Sequence, residues 1–310
     1  MGGKVVIGVW LAFAAVAAAR ADCRLVQIAE FHTAPGTRSP VVEGTINGKP
    51  VKVLIDTSSE TFIPIHEARE LGLTLTVRRG VYWSGTTGRT QAYEAYIRFQ
   101  VGDMVKPDLP MPVIGDPHTA SPYSVVLGED FFDQVDTEFD LAHDAIRLFR
   151  PEGCTPPQLV YWGAAYSQAG FATVDPDTPQ IEAQAQLNGK MVWATLDTGD
   201  PSSIVDTVTA QADGVQWPPP DAIEGPRLHG VGPRRVESRV GLFSSFALGD
   251  ERVSNLRLLV ASIGRNDWYH PRMYIGADFF RTHRVYIDMK DRLILFSYAG
   301  GQIFCPDAPP

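Results

Sequence analysis

Short runs in which apolar and polar residues alternate, separated by glycine, asparagine or proline, recur along most of the chain and predict strands joined by tight turns. Asn47-Gly48 follows one such run and Asn188-Gly189 another. Asn-Gly favours the two-residue hairpin turn, because both positions tolerate φ > 0. The return strands lead into Leu54-Ile55-Asp56-Thr57-Ser58 and Thr195-Leu196-Asp197-Thr198-Gly199, at an offset of 141 residues. The chain is therefore written twice, and every motif has to be read as one of a pair.

Each copy continues with a stretch of helical character, 66–71 and 207–212, and then a glycine-punctuated turn. The turns are Ser84-Gly85-Thr86-Thr87-Gly88 and His229-Gly230-Val231-Gly232, and their flanks predict two hairpin tips. Next come Val126-Leu127-Gly128-Glu129-Asp130-Phe131-Phe132 and Tyr274-Ile275-Gly276-Ala277-Asp278-Phe279-Phe280, at an offset of 148. Each half closes on a β-rich stretch, 137–149 and 284–298, in which Ile146, Leu148, Ile294 and Phe296 alternate in the way half-buried strands do. Residues 151–157, rich in proline and glycine, predict a linker, dividing the chain into halves 22–155 and 156–310.

Residues 1–21 have the form of a removable export signal: Lys4, an apolar run over 5–19, then Ala19-Arg20-Ala21. The run is shorter than the roughly 20 residues of a spanning helix, and nothing after it is apolar enough to cross a membrane. Export to a periplasmic or extracellular compartment makes Cys23, Cys154 and Cys305 eligible for disulfide chemistry. Cys23 and Cys154 bracket the first repeat, so a bond between them would close one lobe and leave Cys305 over; the alternative is three reduced thiols. A formal charge of -9 makes nucleic acid an unsuitable partner.

Asp-Thr occurs at Asp56, Asp136, Asp177, Asp197 and Asp206, but only Asp56 and Asp197 sit in the repeated frame. A carboxylate at the end of a buried strand is costly unless it is bonded or shares its charge, so its duplication implies that the two copies meet. Two adjacent carboxyls share one proton: the ionised member can take a proton from water while the protonated member donates to a carbonyl oxygen. That is acid-base hydrolysis without metal or cofactor. The competing reading is a pair of structural Asx turns, which explains neither the shared flanks nor the paired tips. His66-Glu67-Ala68-Arg69-Glu70 begins like a zinc-peptidase helix, but Glu70 stands where the second histidine belongs.

These residues resemble the pepsin and retropepsin superfamily of aspartic peptidases, in the form that carries two retropepsin-like lobes in tandem. The resemblance spans about residues 39–298 and implies a mainly β, bilobal acid-protease fold of two homologous β-barrel lobes. It implies an endopeptidase acting on peptide or protein substrates as a monomer, with Asp56 and Asp197 catalytic. Thr57 and Thr198 would lock the two catalytic loops together, and Gly128 and Gly276 would pack behind them. Trp83, Ser84, Gly85, Thr86, Thr87 and Gly88, with Gly230, Val231 and Gly232, would form two flaps over an extended peptide.

Two residues depart from the family pattern. Ser58 replaces a glycine and resists any φ > 0 geometry. Asp200 stands where Ser, Thr or Ala is usual; it raises the pair's proton affinity if it points inward, although loop aspartates more often face solvent. Ser59 fits the family and is placed to hydrogen-bond Asp56. The rival reading is a pepsin-like peptide-binding or assembly protein that has lost catalysis, with Ser58 and Asp200 as marks of decay.

Overall fold

The computed structural model describes residues 22–85, 87–172, 180–218, 223–228, 230, 232–263, 272–304 and 306. The expected export signal and Thr86, Val231 and Cys305 lie outside the described residues.

In the first lobe the strands Val41–Ile46 and Lys49–Ile55 form the expected hairpin, with Asn47 and Gly48 at φ 51° and 81°. Strand Val125–Leu127 lies parallel to the return strand, with Leu127 opposite Ile55. The long strands Gly88–Val101 and Met104–Ile114 extend the sheet, and Ile63–Pro64 runs parallel to the second of them, followed by helix Ile65–Glu70. Alternating residues such as Val53, Ile55, Ile97 and Val113 fill the barrel interior. Each such side chain contributes about 1.5–3 kcal/mol by leaving water.

The second lobe repeats this order. Strands Glu182–Leu187 and Lys190–Leu196 turn at Asn188 and Gly189, φ 50° and 78°, and Arg272–Ile275 lies parallel to the return strand. Helix Thr207–Ala212 begins where the Asp206 carboxylate accepts the Val208 amide at 3.0 Å, an N-cap.

A shared sheet joins the lobes. Its strands run in the order Arg24–His32, Ala145–Glu152, Asp136–Asp140, His283–Asp288, Leu293–Tyr298 and Ser167–Ala172. At the centre Thr137 pairs with Ile287, Glu138 with Tyr286 and Phe139 with Val285. Because 138 and 286 are equivalent positions at the 148-residue offset, the pseudo-twofold axis relating the lobes passes through that pair. The fully buried Glu138 is neutralised from both halves, by Arg147 at 2.6 Å and Arg284 at 3.0 Å. The rings of Phe139 and Phe280, 5.2 Å apart, make the two cores continuous.

The expected linker is more ordered than its composition predicts. Pro151 and Glu152 extend a strand against Leu25 and Arg24, and Pro156–Leu159 form a short helix closed by a Thr155–Gln158 capping box. Proline is tolerated at both places, at a strand end and in the first helical turn. Cys23 and Cys154 are bonded, fixing the end of the edge strand Arg24–His32 to the end of its neighbour. The bridge closes a sequence separation of 131, so replacing both cysteines with alanine is expected to cost on the order of 2–5 kcal/mol. Urea denaturation read by tryptophan fluorescence measures this, and an unchanged midpoint would contradict it.

Candidate active site

Each aspartate sits immediately after a return strand, where the backbone is still held by the parallel strand beside it. The Asp56 amide donates to Leu127 O at 3.0 Å and the Asp197 amide to Ile275 O at 2.9 Å. The loops beyond them interlock. Thr57 Oγ1 donates to Leu196 O at 2.7 Å and accepts from the Thr198 amide at 3.1 Å, while Thr198 Oγ1 donates to Ile55 O at 2.8 Å and accepts from the Thr57 amide at 3.2 Å. Both threonines are buried, so these four bonds form without competition from water.

A second reciprocal pair surrounds the first. Ser39 Oγ donates to Gly199 O at 2.8 Å and Gln180 Nε2 to Ser58 O at 2.5 Å. Positions 39 and 180 are equivalent at the 141-residue offset, as are 58 and 199. The sequence reading missed this pair because serine and glutamine share no motif; only their place in the frame identifies them.

Gly128 and Gly276 serve as close-packing points. A Cβ on Gly128 would lie 2.0 Å from Ser59 O, and one on Gly276 would lie 2.5 Å from the Ser202 carbonyl carbon. The next-but-one residues, also overlooked in the sequence, anchor the same loops. Asp130 accepts from the Thr61 amide and hydroxyl, both at 2.7 Å, and Asp278 from the Ser203 amide and hydroxyl at 3.0 and 2.7 Å. Their recurrence in the Gly-x-Asp-Phe block was the available signal.

The carboxyls of Asp56 and Asp197 are in hydrogen-bonding contact. Gly199 abuts them: its Cβ would fall 2.4 Å from Asp56 Oδ2, so glycine is needed there for space. Ser58, at the equivalent position, does not adopt a positive φ, which removes the backbone objection to a side chain. Its amide and hydroxyl both donate to Asp56 Oδ1, at 2.9 and 3.0 Å, and the hydroxyl also reaches Asp197. The Ser59 hydroxyl does not take the expected role; it turns to Glu60 O at 3.1 Å, and the Ser59 amide is the group that serves Asp56.

Asp200 faces the pair and not the solvent, contrary to the usual habit of a loop aspartate. Its amide donates to Asp197 Oδ1 at 3.0 Å and its carboxyl bonds Asp197. Burial lifts all three acids above the usual carboxylate range. Asp197 is raised furthest, by burial and then by the charges of Asp200 and Asp56. Asp56 is raised by burial against the bonds from Ser58, and Asp200 reaches about 7 through burial and the Asp56 charge. Tyr123, which no motif marks, is half-buried close enough to feel all three, its phenol pushed up by burial and then by their charges.

The hairpin Thr76–Gly85 and Gly88–Val101, whose Trp83 packs on the same cluster as Tyr123 beside the three acids, brings its tip to the second lobe. The buried Thr87 accepts the Gly232 amide on Oγ1 at 2.7 Å and the Arg234 amide on its carbonyl at 3.0 Å. Trp83 packs against Phe62 with ring centres 6.3 Å apart, and Ser84 and Gly85 pair with Arg89 and Gly88 across the hairpin. The second tip is less regular than expected: among the described residues it forms the isolated bridges Glu224–Arg239 and Leu228–Val236 in place of a continuous ladder, and Gly230 and Gly232 pack on Thr87. Pro226 and Pro233 have no amide to give a ladder there.

Residues 42–134 match the family model described as gag-polyprotein putative aspartyl protease. Among solved structures, an aspartic proteinase from Irpex lacteus is similar with a TM-score of 0.53 at 11% identity, over 87% of this chain and 97% of that one. No curated protein matches by sequence. The family match lies within the first lobe, and the structural match shows that the likeness of fold extends across both lobes.

Thr57→Val removes the hydroxyl from two buried bonds and is expected to cost about 2–4 kcal/mol, whereas Thr57→Ser, which keeps them, costs about 1 kcal/mol or less. Equal losses for the two variants in urea denaturation would contradict the role of the hydroxyl. The raised carboxyls also set a pH dependence, since Asp136 lies at about 6, Asp200 at about 7 and Glu129 at about 8, each chiefly through burial. Each binds its proton more tightly folded than unfolded. Their contribution is complete at pH near 4 and is lost as pH rises through the shifted values, by about 1.4 kcal/mol per proton and pH unit. The urea midpoint is therefore expected to be higher at pH about 5 than at about 8.

Proposed function

We propose that this chain is an exported aspartic endopeptidase in which Asp56 and Asp197, one from each lobe, activate a water molecule against a peptide bond. The observation that carries the reading is the contact between the Asp56 and Asp197 carboxyls, whose loops are held together by reciprocal threonine bonds. Two acids so placed retain a single proton, leaving one as base toward water and the other as acid toward the scissile carbonyl. As water adds, the base takes its proton and the acid gives its own to the carbonyl oxygen, forming a diol; on collapse the first proton passes to the nitrogen, a diol hydroxyl returns a proton to the pair, and the amine leaves without a covalent enzyme intermediate. Residues 22–155 and 156–310 serve as the two lobes, so one chain supplies a whole site and a monomer suffices. The tips carrying Thr87 and Gly232 act as flaps, and an extended peptide lies beneath them as an added strand. The Cys23–Cys154 bond agrees with an oxidising destination.

Asp200 gives this site an unusual third carboxyl. Its negative charge holds the shared proton on the pair, which extends activity toward neutral pH.

The rival, a peptide-binding protein without catalysis, draws on the Ser58 hydroxyl occupying a lone pair of Asp56. Incubating the mature protein with a diverse peptide mixture from pH 3 to 7 separates the two. Cleavage is expected in the wild type and a loss of at least about a thousandfold in Asp56→Asn and in Asp197→Asn. Cleavage that survives either change would remove the dyad, and retention of peptides without cleavage at any pH would favour the binding protein. Asp200→Ser is expected to move the alkaline limb of the pH profile to lower pH, because the charge that raises Asp197 is gone.

A further inference from the structure

The chain as a whole is acidic, with 27 Lys and Arg against 36 Asp and Glu, but the two tips over the site have the opposite sign. Residues 76–90 hold Arg78, Arg79 and Arg89 and no acid, and residues 223–239 hold Arg227, Arg234, Arg235 and Arg239 against Glu224 and Glu237. The tips touch, so the two groups adjoin: a Cβ on Gly88 would lie 3.5 Å from Arg234 Nε. Arg78 is bound to Glu94 at 2.8 Å, and Arg239 is half-buried. Arg79, Arg89, Arg227, Arg234 and Arg235 are exposed, and among the described residues none of the five forms an ion pair. Arg89 lies over the Tyr82 ring at 4.1 Å, which holds its guanidinium in a fixed place.

We infer that this arginine canopy is a docking surface for acidic stretches of polypeptide flanking the bond to be cut. The inference rests on the proposed peptidase reading and adds a substrate class to it. Guanidinium groups bind carboxylates in a bidentate manner and are weakly hydrated, so an unpaired set of five favours an anionic partner. The floor of the site carries three carboxyls, Asp56, Asp197 and Asp200, which offer an acidic side chain next to the scissile bond no cation to pair with. The preferred peptide therefore has a neutral centre and acidic flanks, the flanks reaching outward to the tips. In a chain of net negative charge, this local reversal also directs encounter toward the mouth of the cleft.

The test uses two peptides with the same neutral centre, one flanked by glutamates and the other by glutamines, at pH about 6, where glutamate is ionised. At low ionic strength the acidic peptide is expected to be cleaved with a kcat/KM about tenfold or more above its partner, and the advantage to vanish at about 0.5 M salt. The triple variant Arg79→Gln, Arg227→Gln, Arg235→Gln is expected to cut the neutral peptide like the wild type and to lose the preference. Equal cleavage of both peptides by the wild type would overturn the inference and leave the peptidase reading intact. If neither is cleaved, fluorescence anisotropy of the labelled acidic peptide on Asp197→Asn decides independently of catalysis. Salt-sensitive binding that the triple change abolishes supports the surface without the peptidase, and no binding ends the proposal. Binding to phosphatidylglycerol vesicles that the acidic peptide does not displace would assign the arginines to a membrane surface instead and overturn the inference.

Discussion

Two carboxyls that stand together out of water repel each other as soon as both ionise, and the rest of this molecule is arranged around keeping them there. Each lobe's own parallel strands place its aspartate, but the loop that follows is fixed from the other lobe. Thr57 and Thr198 each bond a backbone carbonyl and an amide of the opposite loop, so either loop is complete only when the other is present. Ser39 and Gln180 repeat that reciprocity one layer out. The shared sheet, with Glu138 bridged by an arginine from each half, holds the lobes in the register that the inner bonds need. Burial then acts on all three acids in one direction, raising their affinity for a proton.

Much of this plan is written in the chain as repetition. The Asn-Gly turns, the Asp-Thr loops and the Gly-x-Asp-Phe blocks recur in order, and each becomes the expected element because the requirement is local: a positive φ, a short approach, an alternating face. The departures have non-local causes. The direction of Asp200 depends on space near Asp197 that only the assembled lobes define. Ser59 bonds Asp56 as its place in the family loop implies, but through its amide, while its hydroxyl turns to the Glu60 carbonyl. Tyr123 comes from a loop with no motif and reaches the site through tertiary folding alone. The segment read as a linker is held by pairing with a strand more than a hundred residues earlier, which composition does not express.

Ser58 shows how one position can carry both an objection and its answer. Glycine in the family loop suggested a backbone requirement, but the backbone here does not use a positive φ. The requirement at the equivalent Gly199 is steric, since a Cβ would meet the Asp56 carboxyl. A glycine is obligatory on one side and dispensable on the other, and the side that tolerates a side chain uses it to bond Asp56.

That inequality runs through the whole site: Ser58 against Gly199, Ser59 against Asp200, Glu129 against Ala277, a regular hairpin tip against an irregular one. Two identical halves would present the same surface to a peptide and to the same peptide turned end for end. Joined in one chain, the halves have been free to differ at positions that a symmetric pair must keep alike. Under the proposed reading, an extended polypeptide laid between them would meet different groups on its two sides and be read with a sense of direction from amino to carboxyl end.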